Sequence, residues 1–416
     1  MVKNIHLKCP KILVTTSTFP RWENDPEPAF VYELSRRLRS CFDVTILSPR
    51  SPGCKKQETM AGLRVIRYPY FFKKWENLAT HSGGILSRLR ANPLNYFMVP
   101  FFVLGQVWAM MRLLRRENYD LIHAHWIIPQ GVVAVAAMIL SGNRIPLVCT
   151  SHGADLFALR GKLFQSTKRW VLDHCKAVTV VSRAMLQIVL DMGVESEKVQ
   201  VIPMGVDLQK FFVPNHQVIR NRKELLFVGR LVEKKGLNVL LEAMPKVLAR
   251  YPDVRLTVAG SGPLESQLRE QCRTLDISEN VDFLGMVPQA ELPGLYQRAA
   301  MSVFPFIEAE SGDQEGFGLV MIEAMGCGCP VIASHLPAIH DSVTHGKNGL
   351  LVPPGNPGIL AKTIIKLISD PDLAEKLGME AGKRVLKCFD WEVIGRKYAD
   401  LIVLQPSYLS FCLRLD

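Results

Sequence analysis

The strongest chemical signal in the sequence is a pair of glutamates, Glu315 and Glu323, with a glycine-rich stretch after the first. Gly316 and Gly318 let the backbone approach a ligand closely, because glycine has no side chain. A helix predicted to begin near Leu319 would add unpaired N–H groups and the positive end of its dipole. The stretch therefore predicts a cradle for a phosphate or a sugar hydroxyl.

Glu323 lies inside an apolar helical sequence, VMIEAM, over residues 320–325. A carboxylate is costly there unless it has hydrogen-bonding partners. Because carboxylates accept hydrogen bonds from hydroxyl groups well, a ribose or a hexose would satisfy it. A pair of glutamates at this spacing is usually incidental when it stands alone. The glycines, the apolar helix and its exit over residues 326–330 favour a shared sugar site instead.

A basic turn over residues 229–236, GRLVEKKG, follows the predicted strand Leu225–Val228 and precedes a predicted helix. Open α/β sheets bind ligands at the carboxyl ends of their strands. Two cations beside a helix N-terminus suit a diphosphate. Alone, such a turn would more often be a solvated basic loop, but the glutamate pair in the same domain favours the diphosphate. We expect Arg230 and Lys235 to face this ligand and Lys234 to face solvent.

In the first half of the chain, His152 and Asp155 follow a predicted strand, Leu147–Thr150. This position predicts that His152 points into a cleft; a histidine that caps the next turn is the alternative. Asp155 is a weak candidate for a nucleophile. His123 and His125 also end a strand. Because no third ligand is in view, we expect them to line the cleft or support the structure rather than bind a metal.

Several classes of protein are disfavoured by missing motifs. No Gly-x-Gly-x-x-Gly follows the first strand and no Walker loop occurs, which argues against a nicotinamide enzyme and a P-loop NTPase. The ten cysteines are scattered without zinc or disulfide spacing, and the N-terminal sequence lacks the pattern of a signal peptide. We therefore expect no metal, no other cofactor and a cytoplasmic location.

The predicted elements alternate between apolar strands and helices in two successive runs. Such alternation predicts parallel sheets covered by helices on both faces. The pattern lapses at residues 207–223, which we interpret as a linker between a first domain, 1–206, and a second, 224–389. Residues 390–416 form a helix and tail, and the helix is long enough to cross back to the first domain. The prediction is an α/β protein of two doubly wound, Rossmann-like domains that face a central cleft.

With these motifs the chain resembles the retaining glycosyltransferases of family 4, which have the GT-B fold. The resemblance extends from Lys11 to about Leu404. It implies a nucleoside-diphosphate sugar as donor and a hydroxyl of a glycan or a lipid-linked sugar as acceptor. The residues it implies at the donor site are Arg230 and Lys235 for the diphosphate, Glu315, Gly316, Phe317, Gly318 and Leu319 for sugar hydroxyls and phosphate, Glu323 for the ribose, Gly285 and Val287 beside the base, and His152 on the donor sugar. Gly229 and Asp155 are counted as substrate-binding candidates as well.

The resemblance also implies a mechanism without metal and without a covalent intermediate. The acceptor attacks the same face that the diphosphate leaves, and a leaving phosphate oxygen takes the acceptor proton. Fixed cations and N–H groups stabilise the charge that builds on the diphosphate, so His152, Arg230, Lys235 and Glu315 are the catalytic candidates. One stretch departs from the family. Many relatives have a Gly-Gly turn after the first strand, whereas residues 17–30 read STFPRWENDPEPAF, so acceptor contacts are not carried over.

The net charge of +11 is unevenly distributed. Between Arg36 and Arg116 the sequence has 15 basic and 3 acidic residues. Such a segment predicts a polyanionic partner, and with the resemblance we expect an anionic membrane surface on the cytoplasmic side, without nucleic acid. A solvated basic face with no partner is the alternative. The side chains expected to meet the membrane are Lys55, Lys56, Lys73, Lys74, Arg88 and Arg90.

The stretch Tyr96–Leu114 is apolar enough to resemble a membrane span. It contains Pro100, Gln106 and Arg112 and is flanked by positive charge on both sides, which gives no preferred orientation in a membrane. We expect a helix packed on a sheet; a helix partly inserted in a membrane interface is the main alternative.

Two other functions are consistent with parts of the pattern. A nucleotide-sugar epimerase or a phosphorylase of the same fold would share the phosphate-binding turn. A basic nucleic-acid-binding protein would share the charged segment, but its aromatic residues show no stacking motif and the segment lies beside an apolar helix.

Overall fold

The computed structural model describes residues 9–23, 25, 29–79, 85, 88–89 and 92–403. Contacts divide this part of the chain into two compact units. The first consists of the described residues of 1–181, 186–202 and 395–416, and the second consists of 182–185 and 203–394. Each unit is built around its own β-sheet, as the predicted fold class requires.

The sheet of the first unit has eight strands in the order β3-β4-β2-β1-β5-β6-β7-β8. Its strands are β1 Lys11–Thr15, β2 Asp43–Pro49, β3 Gln57–Met60, β4 Leu63–Tyr68, β5 Leu121–His125, β6 Leu147–Ser151, β7 Ala177–Val180 and β8 Val199–Val201. All neighbouring strands pair in parallel except β3, which pairs antiparallel with β4. The polar edge strand β3 was not predicted, because its sequence, QETM, has no apolar run.

Helices cover this sheet, and β5 and β6 between them are buried along their full length. The helices of the first half of the chain are Phe30–Leu38, Val99–Arg116, Val132–Ser141, Ala154–Phe157, Lys162–His174 and Arg183–Asp191. The continuous burial explains the near-continuous apolar sequences of these strands.

The helix Val99–Arg116 lies against the first sheet. By length and composition alone, the stretch Pro93–Arg116 could cross a membrane. Gln106 is nevertheless buried and donates from Nε2 to Thr15 Oγ1 of β1 at 2.7 Å. A Cβ on Gly105 would lie 2.7 Å from the carbonyl oxygen of Pro69, so the helix approaches the backbone closely. The prediction of a helix packed on a sheet is confirmed.

The sheet of the second unit has six parallel strands in the order β11-β10-β9-β12-β13-β14. These strands are β9 Asn221–Val228, β10 Arg255–Ala259, β11 Val281–Gly285, β12 Ala299–Phe304, β13 Val331–Ser334 and β14 Leu350–Val352. The helices of this half of the chain are Leu237–Arg250, Glu265–Thr274, Leu292–Arg298, Leu319–Gly326, Pro357–Ser369, Pro371–Phe389 and Trp391–Val403. The order places β9 in the interior of the sheet, as the doubly wound prediction requires.

The C-terminal helix begins in the second unit, and its residues from Gly395 onward belong to the first. Within the first unit, the Tyr398 ring lies 5.7 Å from that of His123, and its hydroxyl donates to the carbonyl oxygen of Ile202 at 3.2 Å. The helix therefore has the course that the sequence predicted.

Residues 207–223, predicted as a linker, are instead part of the second unit. Arg220 donates to the carbonyl oxygens of Tyr296, Ala299 and Cys327 at 2.7, 3.0 and 2.9 Å. The polar composition of this segment suggested a linker, but the Arg220 side chain binds the backbone of the second unit.

We predict that Arg220→Ala destabilises the second unit by about 2–4 kcal/mol, since it leaves three carbonyl groups without their charged donor. The matched control is Arg222→Ala, an exposed side chain two residues away, which should change the free energy of unfolding by less than about 0.5 kcal/mol. Urea unfolding followed by circular dichroism measures both. Equal stabilities of the two variants would restore the linker interpretation.

Candidate functional site

The carboxyl ends of the parallel strands of the second unit lie along one edge of its sheet. β9 leads into the basic turn 229–236, β10 into Gly260, β11 ends at Gly285 and β12 leads into Phe306. Because parallel strands end on the same side, these segments are neighbours there, and this is the edge at which open α/β sheets bind ligands.

Glycines allow the backbone segments at this edge to pack closely. A Cβ on Gly260 would lie 1.9 Å from the carbonyl oxygen of Gly229. Gly236 has φ +67°, and a Cβ there would lie 1.8 Å from the carbonyl oxygen of Pro305. No larger residue fits at either place without a shift of the backbone. Backbone atoms, rather than side chains, therefore form the base of the site at these two glycines, here called the glycine floor.

A buried ion pair joins the basic turn to the glycine-rich loop. Lys235 Nζ lies 2.7 Å from Glu315 Oε2, and the two side chains are only 14% and 13% exposed. Lys235 Nζ also lies 5.0 Å from the centre of the Phe306 ring. The other oxygen, Glu315 Oε1, accepts from the backbone N–H groups of Gly318 at 3.1 Å and Phe317 at 3.5 Å. The loop is thus wrapped around one carboxylate.

The ionisation of Glu315 is set by its neighbours. Burial by itself would raise the pKa of this carboxyl, but the positive charges of Lys235 and Lys234 outweigh it and hold the pKa at about 2. Glu315 is therefore an anion at neutral pH. It neutralises the buried end of Lys235 and keeps that cation at the edge of the sheet.

The helix Leu319–Gly326 begins directly after this loop, at Gly318, which has φ +84°. Within the described structure, the backbone N–H groups of Leu319 and Val320 make no hydrogen bond. The helix start therefore keeps two free donors, as the glycine-rich sequence predicted, whereas the N–H groups of residues 317 and 318 are held by Glu315.

Glu323 lies in the same helix in a different environment. It is buried, and Oε2 accepts from the Tyr296 hydroxyl at 3.3 Å. Burial raises the pKa of Glu323 to about 8, although the Tyr296 hydrogen bond and the charge of Lys235 act in the opposite direction. Glu323 is therefore mainly protonated at neutral pH. The two glutamates have opposite ionisation states because only one of them has a lysine in contact.

Lys234 does not face solvent, which corrects the sequence prediction. Its Nζ lies 3.1 Å from Asp313 Oδ1 and 3.3 Å from the carbonyl oxygen of Gln314, and its side chain is 21% exposed. The second lysine of the turn thus fixes the residues just before Glu315. Arg230 is half-buried directly after β9.

The segment Gly285–Val287 follows β11 at the same edge of the sheet. Gly285 has φ +71°, and its carbonyl oxygen accepts from the Gly260 N–H at 2.7 Å. Met286 is 70% exposed and Val287 is half-buried. The segment is therefore anchored at the strand end and open beyond it.

In the first unit, aromatic rings pack around His152, which is half-buried. Its ring is nearly parallel to that of His125, with Nε2 3.0 Å from His125 Nδ1. The rings of Phe30 and Trp126 each have their centres 4.8 Å from that of His152. Burial lowers the pKa of His152 to about 3, so the imidazole is neutral at physiological pH. His125 and the aromatic pair were not predicted as its supports.

The two histidines of β5 make hydrogen bonds to protein groups. His123 Nε2 lies 2.8 Å from Thr150 Oγ1, which lies 2.6 Å from Thr179 Oγ1. Burial lowers the pKa of His123 to about 3. Among the described residues, no three His, Cys, Asp or Glu side chains group as a metal site would. The hydrogen bonds of His123 to Thr150 and of His125 to His152 favour the structural role, one of the two predicted for them.

Asp155 has both carboxylate oxygens occupied. Oδ2 accepts from the Ile127 N–H and Oδ1 from the Ser151 hydroxyl, each at 2.7 Å, and the residue is 2% exposed. Burial raises the pKa of Asp155, and these two hydrogen bonds oppose the rise. The carboxylate fixes the turns after β5 and β6. This geometry favours a supporting role over the substrate-binding role proposed from the sequence.

The segment without the Gly-Gly turn contains its own buried ion pair. Arg21 Nη2 lies 2.6 Å from Asp25 Oδ1, and the Arg21 backbone N–H donates to Asp25 Oδ2 at 2.7 Å. The Arg21 guanidinium also lies 4.3 Å from the centre of the Trp22 ring. The segment after β1 thus holds a buried arginine beside an aromatic ring.

Some residues at this edge of the second sheet carried no recognisable signal in the sequence. Tyr296 lies in the separate helix Leu292–Arg298, and nothing in its surroundings indicates that it reaches Glu323. Asp313 precedes the predicted loop without a motif of its own. Phe306 follows strand β12, and its place after a strand end could have identified it.

Comparison with known proteins identifies the family of this chain. Residues 209–384 match the family described as glycosyl transferases group 1, and residues 29–210 match glycosyltransferase family 4. A phosphatidyl-myo-inositol mannosyltransferase of Mycobacterium leprae is 30% identical over 357 residues, which cover 85% of each chain.

Solved structures share the fold. The sucrose-phosphate synthase of Thermosynechococcus elongatus has a TM-score of 0.75 at 24% identity and covers 94% of this chain and 98% of its own. HepE of Anabaena, in a complex with UDP and glucose, has a TM-score of 0.69 at 20% identity and covers 95% of this chain and 100% of its own. At these identities the likeness shows the fold alone.

Proposed function

Because the chain belongs to glycosyltransferase family 4 and is a glycosyltransferase that uses nucleotide sugars, we propose that it transfers a hexosyl unit with retention of configuration to a hydroxyl of a glycan or lipid-linked acceptor. The observation that carries the proposal is the Lys235–Glu315 pair at the strand ends of the second unit. It places a cation, an anion and free backbone donors at one edge of a sheet.

The diphosphate of the donor would lie at the basic turn. Lys235 is already held in place by Glu315, and Arg230 follows β9 at the same strand end. The free N–H groups of Leu319 and Val320 add donors with the positive end of the helix dipole. Together these groups would stabilise the charge that builds on the diphosphate as the glycosidic bond breaks.

The sugars of the donor would meet the two glutamates. Glu315, ionised and bonded to the loop, would accept hydroxyl hydrogens of the transferred sugar, beside Gly316, Phe317 and Gly318. Glu323 would accept the two hydroxyl hydrogens of the ribose, which requires it to lose its proton. The half-open segment Gly285–Val287 would lie against the base.

The transfer would take place on one face of the sugar. The bond from the anomeric carbon to the diphosphate oxygen breaks, the acceptor oxygen bonds to the same face, and the acceptor proton moves to the leaving phosphate oxygen. The nearly complete burial of Asp155, 2% exposed and hydrogen-bonded to Ile127 and Ser151, supports this route over a covalent intermediate on that carboxylate. His152, whose imidazole is neutral and half-buried, would hydrogen-bond the donor sugar. We propose that no metal or other cofactor takes part.

The acceptor is proposed from the relatives and from the charge of the first unit. The Mycobacterium leprae relative is named for transfer to phosphatidyl-myo-inositol, a lipid, and the basic segment predicts an anionic surface. We propose that the protein builds glycolipid or polysaccharide on the cytoplasmic face of a membrane.

The reaction is tested with a panel of nucleotide sugars. A donor present at 100 times its dissociation constant should stabilise the protein by about 2.7 kcal/mol in a thermal-shift measurement. With that donor and an acceptor, proton NMR of the first product formed should show the anomeric configuration of the donor. An inverted product would contradict retention. Conversion of the donor without an acceptor would identify an epimerase, and a requirement for inorganic phosphate would identify a phosphorylase.

We predict that Lys235→Ala lowers kcat/KM by roughly 30- to 3,000-fold, since the loss of one partner of a buried charge pair costs about 2–5 kcal/mol. The cation should matter more in the transition state than in the ground state, because the charge on the diphosphate rises. Steady-state kinetics with the best donor measures the effect, after circular dichroism has shown that the variant is folded.

Two further lysine variants serve as controls for this measurement. Lys234→Ala should cost about tenfold, since it releases the residues before Glu315 but removes no diphosphate contact. Lys246→Ala, an exposed lysine on the next helix, should change kcat/KM by less than about twofold. If Lys234→Ala lowered kcat/KM as much as Lys235→Ala, the proposed assignment of the diphosphate contact to Lys235 would be wrong.

We predict that donor affinity rises with pH because of Glu323. Below pH 8 the free protein holds a proton on this carboxyl, whereas ribose hydroxyls favour the anion, so binding releases a proton. The association constant of a nucleotide sugar should therefore rise by up to about tenfold per pH unit from about pH 6 and level off above about pH 8. The diphosphate of a nucleotide sugar does not itself titrate in this range. Isothermal titration calorimetry measures the slope.

The variant Glu323→Gln has no proton to lose at this position, so it should bind the donor more weakly at pH 8 and show a flat pH profile. Tyr296→Phe removes a hydrogen bond that favours the anion and should move the plateau to higher pH. A wild-type slope that persists in Glu323→Gln would exclude this carboxyl as the ribose ligand.

A further inference from the structure

Large apolar side chains are exposed together on one face of the first unit. The exposed fractions are 75% for Phe72, 62% for Trp75, 68% for Phe97, 64% for Leu104 and 60% for Trp108. Residues 97, 101, 104 and 108 recur at helical spacing, so they form one stripe along the helix Val99–Arg116 and the turn before it. A contiguous apolar surface of this kind marks an interaction site.

Phe71 joins the stripe to the loop that follows β4. Its ring centre lies 5.1 Å from Phe72, 6.0 Å from Trp75 and 5.4 Å from Phe101. The exposed rings therefore form one connected surface, here called the aromatic face, which consists of Phe71, Phe72, Trp75, Phe97, Phe101, Leu104 and Trp108.

The loop that carries half of the aromatic face is held by a buried carboxylate. Glu76 Oε1 accepts from the backbone N–H groups of Tyr70 at 2.7 Å and Phe71 at 3.1 Å, and Glu76 forms an ion pair with Arg50. The exposed position of Phe72 and Trp75 is thus built into the fold, since the backbone on their N-terminal side is fixed by a fully buried side chain.

The charge around the aromatic face is positive. Between Glu76 and Glu117 the sequence has no acidic residue, and both glutamates are paired, with Arg50 and Arg64. Lys73 and Lys74 lie between Phe72 and Trp75 and are exposed. On the helix, the stripe ends in basic residues, and the Arg112 guanidinium lies 5.5 Å from the centre of the Trp108 ring.

We propose that the aromatic face inserts into the headgroup region of an anionic lipid bilayer, with the helix Val99–Arg116 lying along the membrane surface. Tryptophan and phenylalanine beside lysine and arginine are the composition of interfacial helices. The opposite side of this helix is committed to the sheet through Gln106, so the helix lies on the membrane and does not cross it.

The charges favour a bilayer over a second copy of the chain. Two copies joined through the aromatic face would bring Lys73, Lys74 and Arg112 of each copy close to those of the other, and like charges in contact oppose association. An anionic surface instead attracts all of them. The surface uses none of the residues of the donor site and does not depend on the proposed transfer reaction.

Co-sedimentation of the full chain with vesicles tests the proposal. Wild type should bind equimolar phosphatidylcholine–phosphatidylglycerol vesicles at low salt and bind phosphatidylcholine alone at least about tenfold more weakly, because each basic residue at an anionic surface is worth roughly fivefold. Lys73→Ser/Lys74→Ser should lower the partition coefficient by roughly 30-fold. Phe72→Ser/Trp108→Ser should lower it by at least about tenfold, since it removes two inserted rings.

Matched controls lie elsewhere on the same unit. Lys162→Ser/Lys176→Ser removes two exposed lysines, and Leu163→Ser/Phe164→Ser removes two exposed apolar side chains. Each should leave vesicle binding within about twofold of wild type. A thermal shift with a nucleotide sugar, unchanged in all four variants, shows that any loss of vesicle binding is separate from donor binding.

Tryptophan fluorescence measures the insertion of the aromatic face into the bilayer. Lipids with brominated chains should quench wild-type tryptophan emission, and Trp75→Phe/Trp108→Phe should abolish most of this quenching. Equal loss of binding in the aromatic and control variants, or quenching that survives in Trp75→Phe/Trp108→Phe, would overturn the proposal. So would a lipid-free dimer in analytical ultracentrifugation that Phe72→Ser/Trp108→Ser converts to a monomer, which would assign the face to a second copy.

Discussion

The nearly buried carboxylate of Glu315, whose side chain is 13% exposed, is the constraint on which the strand-end edge of the second sheet depends. A carboxylate shielded from water is stable as an anion only if it has a cation and hydrogen-bond donors. Lys235 supplies the charge, and the N–H groups of Phe317 and Gly318 supply the donors. One interaction thereby fixes two segments that are far apart in the chain. A diphosphate arriving at this edge would meet a cation whose position is already set, so little reorganisation accompanies binding.

The same burial has the opposite result eight residues later. Glu323 has a tyrosine hydroxyl but no lysine in contact, and its pKa rises to about 8 while that of Glu315 stays at about 2. One carboxyl is a fixed anion, and the other is a group whose charge depends on its ligand. Pairs of titratable groups driven apart in this way are typical of sites that divide chemical tasks between them.

The sequence was sufficient to predict the strands, the helices and the binding motifs. It was not sufficient to predict which side chains face the protein and which face solvent. Apolar strands alternating with helices led to both sheets, and the glycines at 316 and 318 led to the Glu315 loop. Lys234 was misplaced because a short turn gives no periodicity from which to infer a direction, and its partner Asp313 is distant in sequence. The aromatic face was predicted only in part, as the alternative in which the helix over residues 96–114 is partly inserted in a membrane interface. Its residues read as core in the sequence, and the burial of Phe102, Gln106 and Met110 shows which side of the helix is covered.

The glycine floor has a consequence for how this catalyst can change over evolutionary time. At Gly236 and Gly260 even one methyl group would overlap a main-chain oxygen, so neither position offers a gradual path to new selectivity. Substitutions are sterically possible at Met286 instead, because this residue follows the end of β11 and is 70% exposed. We therefore expect related proteins to vary at residues 286 and 287, and to keep glycine at positions 236 and 260. Under the proposed donor site, a mutational library aimed at altered donor choice would target residues 286 and 287.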